Sequence, residues 1–599
     1  MALTPVILAL SQSGEPVAHR IAAALDAPVH GRAARVDRAD GFFDNALDHA
    51  RELFAAGVPI IGVCASGILI RAVAPLLADK RAEPPVISVS DDGGVVVPLL
   101  GGHRGANRLA RDVAEALGGT AAVTTAGEVS LGVALDEPPA GWRLANPEAA
   151  KSAMAALLAG GGAEVTGDAP WLDLPPGDDV RIAATVAPAP DATLHFAPLR
   201  VTLGVGCARD CPPSELADLV GRELSAAGLA PTAIHSVNTI DLKADEPAIL
   251  DLAASLDVPL RLFSADELEG QIGRVKTPSN IVFAEVGTHS VAEAASLAQS
   301  PSSVLVRPKA KTARATCAIS LAPDPLTELR GRGRGRLSVV GIGPGQAAWR
   351  TPEASRLISE AEELVGYGLY IDLLGPLAHG KARSDFPLGG EEARCRYALE
   401  RAGEGRDIAL VCSGDAGIYA MGALVFELLD RQSHGVSDPA RRVEVVCAPG
   451  VSALQGAAAR AGAPLGHDFC AISLSDLLTP REDILRRIHA AADGDFVIAF
   501  YNPVSRRRRT LLAEARDILL RRRPADTPVM LAMSLGRPEE SITYRTLAEL
   551  DVDEVDMLTT VLVGSSHSQL AALGTGPRMY TPRGYARKID GDLSNIGGE

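Results

Sequence analysis

The chain has 599 residues, 47% hydrophobic, 22% charged and 4% aromatic, with a formal net charge of −16. So acidic a chain is a poor partner for nucleic acid or an anionic membrane, and no run of eighteen apolar residues offers a membrane span. The length exceeds what one hydrophobic core serves and implies about three to five domains.

The opening Met1-Ala-Leu-Thr-Pro-Val-Ile-Leu-Ala-Leu10 lacks the basic flank of a secretory leader. It reads as a first strand, and a cytoplasmic location is expected. Residues 1–135 alternate strand-like runs (6–10, 58–63, 86–89, 95–100) with helix-like ones such as 18–25, the mark of an open α/β sheet. Residues 136–198 are rich in Pro, Gly and Ala and weakly periodic, a small middle module or linker. A second α/β unit is expected over 199–320. Residues 321–336 end in Arg330-Gly-Arg-Gly-Arg-Gly-Arg336, expected to be an exposed flexible linker between two stable halves. The fold class is therefore multidomain α/β. From 337 to 585 strands and glycine turns predict two α/β lobes, about 337–430 and 441–585, followed by a polar tail at 586–599. The cysteines at 64, 207, 211, 317, 395, 412, 447 and 470 lie mostly in apolar strands, as reduced thiols would. Cys207 and Cys211 are the only close pair, with no second pair or nearby histidine, so no metal is expected.

Leu337-Ser-Val-Val-Gly-Ile-Gly-Pro-Gly345 is an apolar strand running into a glycine turn. It is not a dinucleotide fingerprint: Pro344 and Gly345 stand where a helix would have to begin, and the next strand-like run ends in Gly and Tyr rather than an acidic residue. Glycine turns recur after the strands at 408–412 and 443–448, and Tyr501-Asn-Pro503 and Val561-Leu-Val-Gly564 follow. In this order, with Gly466-His-Asp-Phe-Cys-Ala-Ile-Ser-Leu-Ser-Asp-Leu-Leu-Thr-Pro480 and Thr581-Pro-Arg-Gly-Tyr585, residues 337–585 resemble the tetrapyrrole (corrin/porphyrin) methyltransferases, and among them those that methylate precorrin-3B at carbon 17. In the amino half, Gly67-Ile-Leu-Ile-Arg71, Gly101-Gly-His-Arg-Gly-Ala-Asn107 and Val123-Thr-Thr-Ala126 resemble the cobalt-precorrin-5A hydrolase family. Leu203-Gly-Val-Gly-Cys207, Thr239-Ile-Asp-Leu-Lys-Ala-Asp-Glu-Pro247 and Pro308-Lys-Ala-Lys-Thr-Ala313 resemble that family's second domain.

The resemblance implies a two-lobed methylase fold, S-adenosylmethionine as cofactor, and precorrin or cobalt-precorrin substrates. It further implies a homodimer through the methyltransferase half, with other corrin-pathway enzymes as possible partners. Methyl transfer needs donor and acceptor held in line with water excluded, and glycine loops let backbone approach the donor closely. By resemblance Gly343, Pro344, Gly345, Gly414, Asp415, Ala416, Tyr419, Ser452, Ala453 and Asn502 line the donor site, with Leu535 on the adenine side. Asp415 reads equally as an Asx-turn or as a proton-handling carboxylate. A polycarboxylate substrate calls for guanidinium groups, for which Arg506 and Arg507 in Ser505-Arg-Arg-Arg-Arg-Thr510 are candidates, with Lys381, Arg383 and Arg583 behind them. Lactone opening needs an activated water and an oxyanion donor. His103 is the candidate base, with Arg104 or Asn107 as donor; the alternative makes His103 a cap on the following helix. Arg71, Lys80, Lys309 and Lys311 could meet acetate side chains. Asp241, Lys243, Asp245 and Glu246 form either an internal ion-pair group or a second catalytic candidate. The alternative for the whole amino half is a carrier that binds a precorrin without hydrolysing it.

Overall fold

The structure, a computed structural model, describes residues 3–505, 508–585 and 589. Arg506 and Arg507, and all of the tail but Ile589, lie outside the described residues. Near-continuous apolar runs make the inner strands Val6–Ala9, Ile60–Val63 and Val86–Val89, each buried at every position, as parallel strands covered on both faces must be. They centre a seven-stranded sheet in the order Gly41–Phe43, Val29–Arg32, Val6–Ala9, Ile60–Val63, Val86–Val89, Val95–Leu100, Thr120–Ala121. Val95–Leu100 runs antiparallel to Val86–Val89, with Val86 opposite Leu100. The glycine-histidine turn at 101–105 therefore lies at the edge where the inner strands begin.

Residues 136–198 are a folded unit rather than a linker. Trp142–Leu144, Leu194–Pro198, Val180–Ala184 and Ala163–Gly167 form a four-stranded sheet, packed with the helix Ala150–Leu158 around Leu135, Leu157 and Phe196. Strands of three to five residues are too short to show a legible alternation. The next sheet orders Leu260–Phe263, Ile234–Ile240, Val201–Cys207, Ala315–Leu321 and Val304–Lys311.

In the carboxy half, the first lobe is a parallel sheet in the order Ala382–Asp385, Glu363–Gly366, Asp407–Cys412, Arg336–Gly341, Glu444–Ala448. This corrects the expected lobe division at 441, because Glu444–Ala448 pairs with Arg336–Gly341 and completes the first lobe. A strand that returns after a crossover looks in sequence like the start of a new sheet. The second-lobe sheet begins at Phe469–Ser473 and continues through Val497–Tyr501, Thr559–Val563, Pro528–Met533 and Ser541–Thr546. No helix among the described residues is long and apolar enough to cross a membrane.

The halves expected to be separable share one core. Leu8, Leu53, Leu69 and Val73 of the first sheet and its helices pack in a single cluster with Val340, Leu357, Ile358 and Leu374 of the first lobe. Ser359 Oγ donates to the Ala56 carbonyl at 2.9 Å, and Arg350 pairs with Glu52. Three histidines meet at the same junction. His30 Nδ1 and His49 Nε2 share a hydrogen bond at 2.9 Å, and the His379 ring of the first lobe stands edge-on to His30 at 5.3 Å between centroids. Burial pushes His30 down to about 4 and His49 to about 3 and lowers His379 as well, so the junction disfavours the charged imidazole.

The arginine-glycine stretch is a strap, not a flexible linker. Arg332 exchanges backbone hydrogen bonds with Leu262 at 2.8 and 2.9 Å, adding a bridge to the edge of the second α/β sheet. Arg334 donates to the Arg442 and Val443 carbonyls at 2.9 and 3.1 Å, and Arg332 to the Gly403 carbonyl at 3.1 Å. Gly335 lies so close to the first lobe that a Cβ there would fall 1.7 Å from the Ala402 carbonyl oxygen. Without apolar residues the stretch looks solvated. Arg332 and Arg334 instead bind carbonyls, Arg332 also meets Asp241 and Arg336 meets Glu360, and the glycines permit contact. Limited trypsin digestion of the native chain should therefore leave the bonds after Arg332 and Arg334 intact, as mass spectrometry of the fragments would show. Early cleavage there would mean the strap is not docked in solution.

Candidate functional site

Three loops leave neighbouring strands at the carboxy-terminal edge of the first-lobe sheet, the edge at which open α/β sheets bind ligands. Gly343 and Gly414 exchange backbone hydrogen bonds at 3.1 and 2.9 Å, tying the first loop to the second. A Cβ on Gly450 would fall 2.1 Å from the Gly414 carbonyl oxygen, and one on Gly341 2.7 Å from the same atom. Glycine is thus required for the three loops to touch. Asp415 uses both carboxylate oxygens on backbone: Oδ1 accepts from Gly417 N at 2.8 Å and Oδ2 from Gly450 N at 3.0 Å. It is an Asx-turn that also clamps the third loop to the second. Ser452 caps the helix Ala453–Ala461 in a reciprocal box with Gln455.

The second lobe closes the crevice. Tyr419, at φ 51°, donates to the Ala471 carbonyl at 2.8 Å, and its ring lies 5.2 Å from that of Tyr501. The Tyr501 hydroxyl accepts from Leu454 N at 2.9 Å. Asn502, also at positive φ, donates to Ser473 Oγ at 3.1 Å. A Cβ on Gly345 would meet the Leu535 carbonyl oxygen at 2.6 Å, and Arg537 donates to the Pro344 carbonyl at 3.2 Å. The structure thus gathers Gly343, Pro344, Gly345, Gly414, Asp415, Tyr419, Ser452, Ala453, Asn502 and Leu535 around one crevice. Ala416 is different: its side chain is buried in the first-lobe core, leaving only its backbone near the crevice. A Cβ on Gly343 would point at Trp349, 3.0 Å from its carbonyl oxygen, and not toward Gly414. At Gly414 the nearest atoms to an added Cβ are Ser452 Cα and Ala453 N, both at 3.8 Å.

Sequence reading missed the brace behind this crevice. Arg460 lies 4.6 Å over the Trp349 ring and pairs with Glu540, which accepts from Gly536 N at 2.6 Å. Arg460 and Glu540 are eighty residues apart, and no local pattern links them. Lys381 is not free for a substrate: it donates to the Ser359 and Ala361 carbonyls at 2.8 and 2.6 Å, and burial lowers it to about 8. Arg383 is held by Asp372 and Asp385.

In the amino half, Gly101 and Gly105 take left-handed conformations at either end of the histidine turn. His103 is not a helix cap. The helix Ala106–Leu117 starts at Gly105 without a side-chain cap, and His103 Nδ1 donates to Asp136 Oδ2 at 3.1 Å. Arg104 donates to the Ala82 carbonyl at 2.9 Å, and Asn107 to Thr125 Oγ1 and Glu128 Oε1 at 2.9 and 3.0 Å. Asp136 is a partner that sequence reading missed, and both side chains of this pair are about half exposed. A cavity of about 890 Å³ lies beside this turn, not at the glycine crevice. Arg104 and Arg108 line it from the first sheet, and Arg336, Arg356 and Lys381 from the first lobe. Arg71 is exposed and folds back onto the Gly67 carbonyl; Lys80 is exposed. Lys309 and Lys311 lie on the edge strand Val304–Lys311. Asp241, Lys243, Asp245 and Glu246 are all paired, with Arg332, Glu246, Arg442 and Lys243 respectively. Among the described residues no group of three His, Cys, Asp or Glu side chains is placed to hold a metal ion.

The family described as Tetrapyrrole (Corrin/Porphyrin) Methylases matches residues 336–551. A precorrin-3B C(17)-methyltransferase of Sinorhizobium sp is 44% identical over 255 residues, 42% of this chain and 98% of that protein. The chain belongs to the tetrapyrrole methylase family. A probable cobalt-factor III C(17)-methyltransferase of Salmonella typhimurium is 45% identical over 249 residues, 42% of this chain and 99% of the relative. The solved structure of the methyltransferase CobJ is 38% identical, with a TM-score of 0.38, and matches 41% of this chain and all of that one. Ahead of the methylase half, the families described as Cobalamin synthesis G N-terminal and Cobalamin synthesis G C-terminus match residues 48–128 and 201–320.

Proposed function

We propose that the carboxy half methylates a precorrin-3B-type macrocycle at carbon 17 from S-adenosylmethionine, with ring contraction, and that the amino half opens a cobalt-precorrin-5A-type lactone and releases its two-carbon fragment. The observation that carries the first activity is the meeting of Gly341, Gly343, Gly414 and Gly450 at one sheet edge, in a chain that over 255 residues is 44% identical to a precorrin-3B C(17)-methyltransferase. S-adenosylmethionine, when bound, supplies an electrophilic methyl on a sulfonium. The chain's own part is positional: loop backbone holds the donor, Asp415 locks two of the loops, and Tyr419 and Tyr501 bridge the lobes over the crevice. The working units are 1–135, 136–198, 199–320 and 337–585, acting in the cytoplasm as a homodimer through the methylase half.

In the amino half His103 is the base and Asp136 its orienting partner. The carrier reading has one observation in its favour: Arg104 and Asn107 already spend donors on protein acceptors. Both activities are testable on the intact chain. Precorrin-3B with S-adenosylmethionine should yield a product one methyl heavier, and cobalt-precorrin-5A should release acetaldehyde. His103→Ala should slow acetaldehyde release by about 10²–10⁴-fold and leave methylation unchanged. Tight binding of cobalt-precorrin-5A with no acetaldehyde from the wild-type chain would establish the carrier instead.

A further inference from the structure

Among the described residues, Arg394 is the least compensated buried charge in the methylase half. It lies four residues into the helix Glu391–Gly403 and is 3% exposed. A guanidinium carries five N–H donors, yet Arg394 makes one conventional hydrogen bond, from Nη2 to the Pro387 carbonyl at 2.9 Å. Its Nη1 meets only the Met421 thioether at 3.3 Å, a weak acceptor. Its Nε is buried with no partner. No carboxylate pairs with it among the described residues; Glu391 and Glu392 of the same helix are exposed and bond elsewhere, to Gly389 and Arg396. The amino-terminal turn of a helix is also the end where a cation is disfavoured. A buried guanidinium this poorly satisfied costs stability, so packing does not explain it.

Its two contacts lie toward the loop edge of the sheet. Pro387 follows the strand Ala382–Asp385 and Met421 ends the loop that carries Gly414 and Asp415, both at the carboxy-terminal edge of the sheet. Arg537 comes from the second lobe, donates to the Pro344 carbonyl and has no carboxylate partner among the described residues. Both arginines act on the Tyr370 hydroxyl; burial raises its pKa and they pull against that rise.

We propose that Arg394 and Arg537 form a carboxylate subsite of the methylase crevice, in which a ligand carboxylate replaces the Met421 thioether as acceptor. This deepens, and rests on, the methyltransferase reading. The carboxylate is either a side chain of the macrocycle or the methionine end of the donor. Full-length wild type, Arg394→Met and Arg537→Gln would be titrated with uroporphyrin III, an octacarboxylate, and separately with S-adenosylhomocysteine, and their melting temperatures recorded. Removing an uncompensated buried charge should leave the melting temperature of Arg394→Met unchanged or raised. Both variants should weaken the same probe by about tenfold or more. Loss confined to uroporphyrin assigns the subsite to the macrocycle, and loss confined to S-adenosylhomocysteine assigns it to the donor. The proposal is overturned if both variants bind both probes as wild type does, or if Arg394→Met lowers the melting temperature and leaves binding intact. Wild type that takes up neither probe would sink the methyltransferase reading with it.

Discussion

Gly450→Ala should abolish methyl transfer. The added methyl would lie 2.1 Å from the Gly414 carbonyl oxygen and 2.8 Å from the Gly341 carbonyl carbon. These are backbone atoms of two other loops, so no side chain can swing aside. Overpacking of this kind costs about 1–3 kcal/mol, which a chain of this size survives. The relief, however, must come from separating the loops that form the crevice. A displacement of about 1 Å costs on the order of 100-fold in rate when catalysis depends on alignment. S-adenosylhomocysteine titration and single-turnover methylation would measure both effects. A variant that is folded, binds the cofactor normally and keeps its rate would show that loop contact is not needed.

Acid should weaken the whole chain well before its carboxylates protonate. His30, at about 4, and His49, at about 3, are held below the 6.5 of an exposed imidazole by burial first and by their histidine neighbours second. As pH falls below 6.5, the unfolded chain takes up protons that the native junction refuses until pH 4 or lower. Stability is therefore complete above pH 6.5 and declines below it, by about 1.4 kcal/mol per pH unit for each such histidine. His235, buried in the second α/β sheet and lowered to about 4, adds to the same window. Asp40 opposes the effect on His30, and Phe43 stacks on His49 at 4.3 Å. Urea midpoints between pH 7 and 4.5 should fall steeply for wild type and much less for a His30→Gln, His49→Gln double variant. Equal slopes would mean that the histidines are not buried in solution.

The sequence made the α/β class and the crevice legible because both are local signals. Apolar β-branched runs gave the inner strands. Glycines after strands gave the loops, while the pairing of Gly343 with Gly414 emerged only in the fold. What it concealed were facts of assembly. The Arg-Gly strap looks solvated because its partners, backbone carbonyls and the distant carboxylates Asp241 and Glu360, leave no local sequence signature. The strand Glu444–Ala448 was assigned to the wrong lobe because parallel partners are chosen by crossover geometry. Asp136, Arg460 and Glu540 are joined to the site only in three dimensions. Arg394 sits in an unremarkable helical stretch, Glu-Ala-Arg-Cys, and only its burial and missing partners distinguish it.

The shared core also sets an order of events during synthesis. Helices Ala46–Ala55 and Ser66–Val73 present an apolar face whose cover, from Val340 to Val411, is encoded more than two hundred and sixty residues later. At elongation rates of about 5–20 residues per second that interval is from about ten seconds to about a minute. Throughout it, Leu53, Leu69 and Val73 must stay bare or be held by something else while two further sheets fold in between. The first sheet is made early but finished late, once the first methylase lobe has been synthesised.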